Sequence, residues 1–309
     1  MSPTTGIPIQ GVYVAAVTPH RKEGHEADLG AMLELVDFLS ATHVDGIALM
    51  GSTGEFLHLT FPDRIRLVHL AVKLSRVPIL VGVAHSTLDG AVELAREGIA
   101  AGAAGLLLMP PYFFRYQQEE IREFYLEFAA ELGSAARILM YNIPIFTNPI
   151  AIETAVDLLS SGLIAGIKDS CGDYDYFARL LALRDRKPFT LLVGSDRIFK
   201  RARQAGADGI ISGVASAVPE LLVGLDRAIR SNQTQHVERL DVHLQEFLNW
   251  LEKFPTPVGV KTAAAERGLK VGPLATPLSP ASCRLLEEFR EWFRAWLPCV
   301  KKDAESVLQ

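Results

Sequence analysis

The chain has 309 residues, 49% of them hydrophobic and 22% charged, with a formal net charge of -5. That composition belongs to a globular protein and allows one large domain or two smaller ones. It shows no basic stripe interleaved with aromatics for nucleic acid, and no run near the roughly 18 apolar residues that span a bilayer. The opening MSPTTGIPIQ lacks the charged start and apolar stretch of a signal peptide. Cys171, Cys283 and Cys299 are irregularly spaced and read as free thiols. These features predict a cytoplasmic protein.

Short apolar runs alternate with amphipathic stretches. The run 11–17 precedes residues 29–41, where Leu29, Met32, Leu33, Val36 and Leu39 form a stripe at helical spacing. The run 46–50 leads into GSTGE at 51–55, then a helical stretch 61–74 with Thr60 as cap and Pro62 and Asp63 in its first turn. Runs at 79–83, 105–109, 137–141, 165–168, 190–193 and 209–212 follow, with helical patterns at 87–101 and 118–132. The runs are mostly continuous rather than alternating, as parallel strands covered on both faces require. AGAAGLLL at 101–108 and AGADGIIS at 205–212 repeat one another, and HVDGIALM at 43–50 is a looser copy. Each falls at a predicted helix-to-strand junction, where glycine suits a left-handed helix terminus.

Eight strand–helix units in series predict an α/β chain built as a (β/α)8 TIM barrel over residues 1–220. A doubly wound sheet is the alternative, but the first strand leads into VTPHRKEG, without the glycine-rich phosphate loop such a sheet often carries. Helical stretches at 237–254 and 282–296 predict a C-terminal helical region, 221–309, packed on the barrel. The polar KKDAESVLQ at 301–309 reads as a frayed end.

In such a barrel the chemistry sits at the C-terminal ends of the strands. Lys168 is the single lysine among the residues there, and it ends the apolar run LIAGI. A lysine attacks a carbonyl only as the neutral amine, which burial among apolar neighbours favours. Such a lysine forms a Schiff base with a ketone or aldehyde. A strand-end lysine reaching to water is the competing reading. Tyr141 ends RILMY, where a phenol relays a proton or merely satisfies one buried hydrogen bond. In GSTGE, the Ser52 and Thr53 hydroxyls and glycine-exposed N–H groups suit a carboxylate, or form an ordinary turn. The histidines show no metal-binding spacing, so no metal site is predicted; His20 and His85 lie nearest to strand ends. Cys171 has no histidine near it in sequence, which leaves a thiol nucleophile weakly supported.

GSTGE at 51–55, YNIP at 141–144, GIKDS at 166–170 and GADGIISGVAS at 206–216 occur in that order. Over nearly the whole chain this set resembles the dihydrodipicolinate synthase / N-acetylneuraminate lyase superfamily of class I, Schiff-base aldolases. The resemblance implies that Lys168 forms the Schiff base with pyruvate or another 2-oxo acid and that Tyr141 relays protons. It implies that Ser52 and Thr53 bind the 2-oxo acid carboxylate, with Ser52 also at the relay position. Ile211 matches a backbone contact to pyruvate. An aldehyde as second partner, no cofactor and a homotetramer are implied as well.

Two departures narrow the substrate. Members that make dihydrodipicolinate carry an arginine for the aldehyde's carboxylate where this chain has Phe146. A phenyl ring cannot replace that charge partner. They also carry a tyrosine, lent by a neighbouring subunit, where PPYFF places Phe113; Tyr112 and Tyr116 are the nearby phenols, and sequence leaves open whether either takes its place. GSTGE, the apolar residue after YNIP, and KDS-x-GD look closest to aldolases of 2-keto-3-deoxy sugar acids. Gly194, Ser195 and Asp196 in VGSD fit sugar hydroxyls. Dihydrodipicolinate synthesis, N-acetylneuraminate cleavage and a non-catalytic 2-oxo-acid-binding barrel are the alternatives.

Overall fold

The structure, a computed structural model, describes residues 8–21, 26–133 and 136–308. The first seven residues of the opening stretch and Gln309 lie outside them. Eight strands pair in parallel and in sequence order, closing into a barrel: β1 (Gly11–Ala15), β2 (Gly46–Leu49), β3 (Ile79–Gly82), β4 (Gly105–Leu108), β5 (Ile138–Asn142), β6 (Gly166–Asp169), β7 (Thr190–Val193) and β8 (Gly209–Ser212). Closure is made by β1 on β8, with Tyr13 opposite Ile211. The (β/α)8 architecture predicted from the apolar runs is the one the chain adopts. Nearly every strand residue is buried, which is why the runs read as continuous rather than alternating.

Eight helices, one after each strand, surround the barrel: α1 (Leu29–Ser40), α2 (Phe61–Leu74), α3 (Leu88–Ala101), α4 (Gln118–Leu132), α5 (Ile152–Ser161), α6 (Tyr174–Arg184), α7 (Phe199–Ala205) and α8 (Pro219–Arg230). Their starts follow local rules. Asp28, Thr60, Thr87 and Asp173 each accept a hydrogen bond from an orphan N–H of the first turn. The repeated junctions share one backbone solution: Gly102 (φ 91) and Gly206 (φ 119) end α3 and α7 in left-handed geometry. In the looser copy His43 occupies that position at φ 60, so the repeat is conformational even where glycine is missing. α8 lies across residue 220, where sequence placed the end of the barrel, because Pro219 opens that helix.

Two apolar layers result. One lies between the helices and the outer face of the barrel. The other fills the barrel itself with Tyr13, Ala15, Ala48, Leu80, Leu107, Leu139, Leu192 and Ile211. The Tyr13 ring needs a neighbour without a side chain: a Cβ on Gly46 would lie 2.1 Å from it.

Beyond the barrel come α9 (Thr234–Leu251), α10 (Val258–Glu266) and α11 (Pro280–Leu308). The frayed end expected at 301–309 is not what the chain does, since α11 runs on to Leu308. Val300, Ala304 and Val307 are buried at three- and four-residue spacing, while Asp303 pairs with Arg239 and His243 of α9. The segment is an amphipathic helix whose polar composition hid its periodicity. Its backbone comes close to α8, where a Cβ on Gly224 would lie 3.4 Å from Ala304. α10 carried no sequence signal strong enough to be read as a helix.

Candidate active site

Strand register brings the two most reactive candidates together. Tyr141 on β5 is paired directly with Lys168 on β6, and Lys168 in turn with Leu192 on β7. Paired residues of parallel strands point to the same face. Leu139, two residues before Tyr141, belongs to the barrel interior, so Tyr141 and Lys168 form the next layer above it. Lys168 is only 4% exposed, and its Nζ lies 3.9 Å from the centroid of the Tyr141 ring. The water-reaching reading of this lysine is therefore ruled out by its burial.

The loop after β2 supplies the hydroxyls. Ser52 Oγ lies 3.2 Å from the Tyr141 hydroxyl, within hydrogen-bond reach. Thr53 is buried against the loop after β8, where a Cβ on Gly213 would lie 3.1 Å from Thr53 Oγ1. The loop is tightly wound. Met50 (φ 60) and Glu55 (φ 51) both hold left-handed backbone without being glycine. Thr18, after β1, donates to the Gly54 carbonyl at 2.6 Å.

The loop after β7 makes room for the lysine. A Cβ on Gly194 would lie 1.9 Å from Ser170 Oγ and 2.8 Å from Lys168 Cε, so no side chain fits at 194 without moving the lysine stem. Ser170 Oγ is buried there without a hydrogen-bond partner among the described residues. Asp196 accepts a short hydrogen bond from Ser212 Oγ at the end of β8. Burial pushes the Asp196 carboxyl up to about 6, against the opposing pull of the Ser212 hydroxyl and the Lys168 charge. Ser195 faces Gly172 of the β6–α6 connection instead. Ile211 points into the barrel interior beside Leu192, so only its backbone is offered to the mouth.

The raised Asp196 value has a stability consequence with a definite sign. The unfolded carboxyl releases its proton near 3.8 and the folded one near 6. The folded state therefore loses relative stability as pH rises through that window, and the loss persists above it. Asp196→Asn keeps an acceptor for Ser212 and never ionises. It is expected to raise Tm at neutral pH, with the gain vanishing below the unfolded value of 3.8. Thermal melts followed by circular dichroism across that range check this, and a gain independent of pH contradicts it.

Other candidates are set aside by geometry. Cys171 Sγ donates to Asp169 Oδ2 at 2.9 Å, and burial, with the Asp169 carboxylate beside it, pushes the thiol up to about 12. Such a thiol is a poor nucleophile near neutrality. Asn142 Nδ2 donates to Asp169 Oδ1 at 2.8 Å, tying β5 to β6 one residue beyond the lysine. His85 bonds Thr87 Oγ1 at the α3 N-terminus.

A cavity of about 270 Å³ opens beside Ser52, lined chiefly by Glu55, Phe56, Met109, Tyr112, Phe146 and Thr147. Its lining contains a carboxylate and no lysine or arginine. Phe146 thus reaches the cavity, as does Tyr112. Phe113 does not: it is 88% exposed, at φ 78, with its ring against Phe114. Tyr116 is exposed at the same loop. Sequence reasoning missed Lys261, a fully buried amine on α10 that bonds Glu55 Oε2 at 2.7 Å. The available signal was a lone lysine inside VGVKTAAA.

The model of the dihydrodipicolinate synthetase family matches residues 8–295. The chain belongs to that family. The family sits within the class I pyruvate-dependent aldolases, and its members are carbon–carbon lyases, as is this protein. A 4-hydroxy-tetrahydrodipicolinate synthase of Methanothrix thermoacetophila is 30% identical over 274 residues, 88% of this chain and 92% of the relative. Among solved members, a chloride-inhibited dihydrodipicolinate synthase from Acinetobacter baumannii complexed with pyruvate is 29% identical. It superposes with a TM-score of 0.83 over 96% of this chain and 99% of its own. A 2-keto 3-deoxygluconate aldolase from Picrophilus torridus is 27% identical, with a TM-score of 0.80 over 87% of this chain and 97% of its own. Both an aldehyde-condensing synthase and a sugar-acid aldolase are thus similar to this chain, so membership alone does not choose the aldehyde. Among the described residues no helix is long and apolar enough to cross a membrane.

Proposed function

We propose that this protein is an aldolase of 2-keto-3-deoxy sugar acids, releasing pyruvate and an aldehyde through a Schiff base on Lys168. The observation that carries the reading is the buried Lys168 amine against the Tyr141 ring, with the Tyr141 hydroxyl in turn within reach of Ser52. Lys168 Nζ attacks the 2-oxo carbon. Tyr141 passes a proton to the carbinolamine oxygen, which leaves as water and gives the protonated imine. The Tyr141 phenolate left by that transfer takes the C4 hydroxyl proton, the aldehyde forms as the C3–C4 bond breaks, and the bonding electrons pass into the imine to leave an enamine. Protonation at C3 and hydrolysis then release pyruvate and restore the amine. The imine is the electron sink, so no cofactor takes part. Ser52 and Thr53 hold the carboxylate, and the Ile211 backbone contacts the pyruvate half.

The sugar half is supported by the loops. Asp196, Ser212 and the unpartnered Ser170 hydroxyl offer polar atoms beside Lys168 suited to hydroxyl groups. The cavity beside Ser52 offers His58 but no guanidinium or ammonium for a carboxylated aldehyde. A second reading, synthesis of 4-hydroxy-tetrahydrodipicolinate, is favoured by the name of the Methanothrix relative. Phe146 argues against it. We also infer a cytoplasmic homotetramer, as the family resemblance implies. Phe113, Phe114 and Ile145, exposed on neighbouring loops, support the oligomer.

The test is a panel of 2-keto-3-deoxy acids assayed for pyruvate release, beside pyruvate with aspartate semialdehyde. Release from at least one sugar acid, without consumption of aspartate semialdehyde, is expected. Turnover of aspartate semialdehyde instead sinks the sugar-acid assignment.

A further inference from the structure

Three ionisable side chains outside the proposed chemistry meet under the mouth of the barrel. Lys261 comes from α10, Glu55 from the loop after β2, and His20 from the loop after β1. All three are buried, Lys261 to 1% exposure. Lys261 Nζ donates to Glu55 Oε2 at 2.7 Å and lies 2.9 Å from His20 Nδ1. One amine thereby ties two catalytic-end loops to a helix outside the barrel.

The loop it grips is the one that carries Ser52 and Thr53. Left-handed backbone at Met50 and Glu55 persists only where the surroundings over-determine it. Ser52 Oγ lies within hydrogen-bond reach of the Tyr141 hydroxyl, and His58 Nδ1 lies 3.7 Å from Glu55 Oε1. Thr18 holds the Gly54 carbonyl, turns bond Gly54 N to Gly51 O and Glu55 N to Ser52 O, and Lys261 holds the Glu55 side chain. Of these, only Lys261 reaches the loop from outside the barrel. The segment after its helix is seated nearby through Val271, whose carbonyl accepts from His20 N, and Gly272, where a Cβ would collide with the His20 carbonyl.

We propose that Lys261 is a positioning residue for the 2-oxo acid site: through Glu55 it holds the 51–55 loop in the shape that aims the Ser52 and Thr53 hydroxyls at the substrate carboxylate. This rests on the functional reading above. Lys261 itself touches no substrate. Its loss loosens a preformed site, so it raises the pyruvate concentration needed for imine formation more than it lowers the amount of imine formed at saturation.

The experiment titrates the full-length parent and its variants with pyruvate under borohydride. The adduct on Lys168 is quantified by peptide mass spectrometry, and Tm is measured in parallel. Lys261→Met takes the nearest cationic partner from a buried carboxylate and is prone to misfold. Lys261→Met combined with Glu55→Leu removes both charges and keeps the test available. Both variants are expected to raise the half-saturating pyruvate concentration about tenfold, with the saturating adduct within about twofold of the parent. Arg203→Met is the stability control, since it breaks an ion pair with Asp226 on the outer helices. It is expected to lower Tm without moving half-saturation. Parent-like half-saturation in the double variant overturns the proposal, as does an equal shift in Arg203→Met. Absence of any adduct in the parent instead defeats the Schiff-base reading on which the proposal stands.

Discussion

Lys168→Met is expected to abolish pyruvate release, lowering kcat by at least about 10⁴-fold, and to eliminate the borohydride-fixed adduct. Among the described residues no other lysine ends a barrel strand, and an imine needs a primary amine within reach of the carbonyl. The fold should tolerate the change. Lys168 is 4% exposed and lies along the Tyr141 ring, so an unbranched thioether fills the same volume without a buried amine to satisfy. Tm is therefore expected to stay level or rise while activity disappears, a split that separates chemistry from structure. Peptide mass spectrometry after reduction with pyruvate is the deciding measurement. An adduct that persists in the variant, for instance on the buried amine of Lys261, would transfer the nucleophile elsewhere.

Tyr141→Phe is expected to lower kcat by about 10²- to 10⁴-fold, the range for loss of a positioned proton donor. The ring stays, so its contact with Lys168 at 3.9 Å stays too. What goes is the hydroxyl 3.2 Å from Ser52 Oγ, and with it the path by which the carbinolamine oxygen is protonated. Imine formation should then become slow rather than impossible, so the adduct accumulates over longer incubation to the parental extent. Single-turnover rates of adduct formation test this. A rate within about threefold of the parent shows that Ser52 or solvent carries the proton instead.

The barrel was legible because most of its strands obey one rule up to their C-terminal ends. Strands covered on both faces must be apolar throughout, and the runs from 46–50 to 209–212 say so in the plainest way sequence allows. Lys168 was legible for the converse reason, as an amine at the end of such a run. Tyr141 and Ser52 gained meaning only as members of an ordered motif set, since each alone fits a bland alternative. The misses have physical causes as well. The helical register of 301–308 lies in the spacing of Val300, Ala304 and Val307, which a polar composition conceals. Lys261 escaped notice because its partner Glu55 lies 206 residues away, and nothing local distinguishes a bridged lysine from a solvated one. Ser195 was grouped with Asp196 by adjacency, yet successive residues leave a turn in different directions and only Asp196 reaches Ser212.

The placement of Tyr141 and Lys168 has a consequence for how such an enzyme changes over evolutionary time. Both stand on paired strands, held by a ladder of main-chain bonds that no side chain writes. Phe146, Tyr112 and Leu57, which border the cavity, stand on connections instead. On the proposed reading, the bond-breaking apparatus and the recognition of the leaving aldehyde are therefore inherited on separate mechanical parts. A lineage can trade one aldehyde for another by replacing residues such as Phe146 while the imine machinery stays in register. A change to the ladder itself would cost every substrate at once. Divergent specificities sharing one nucleophile are the outcome this layout favours.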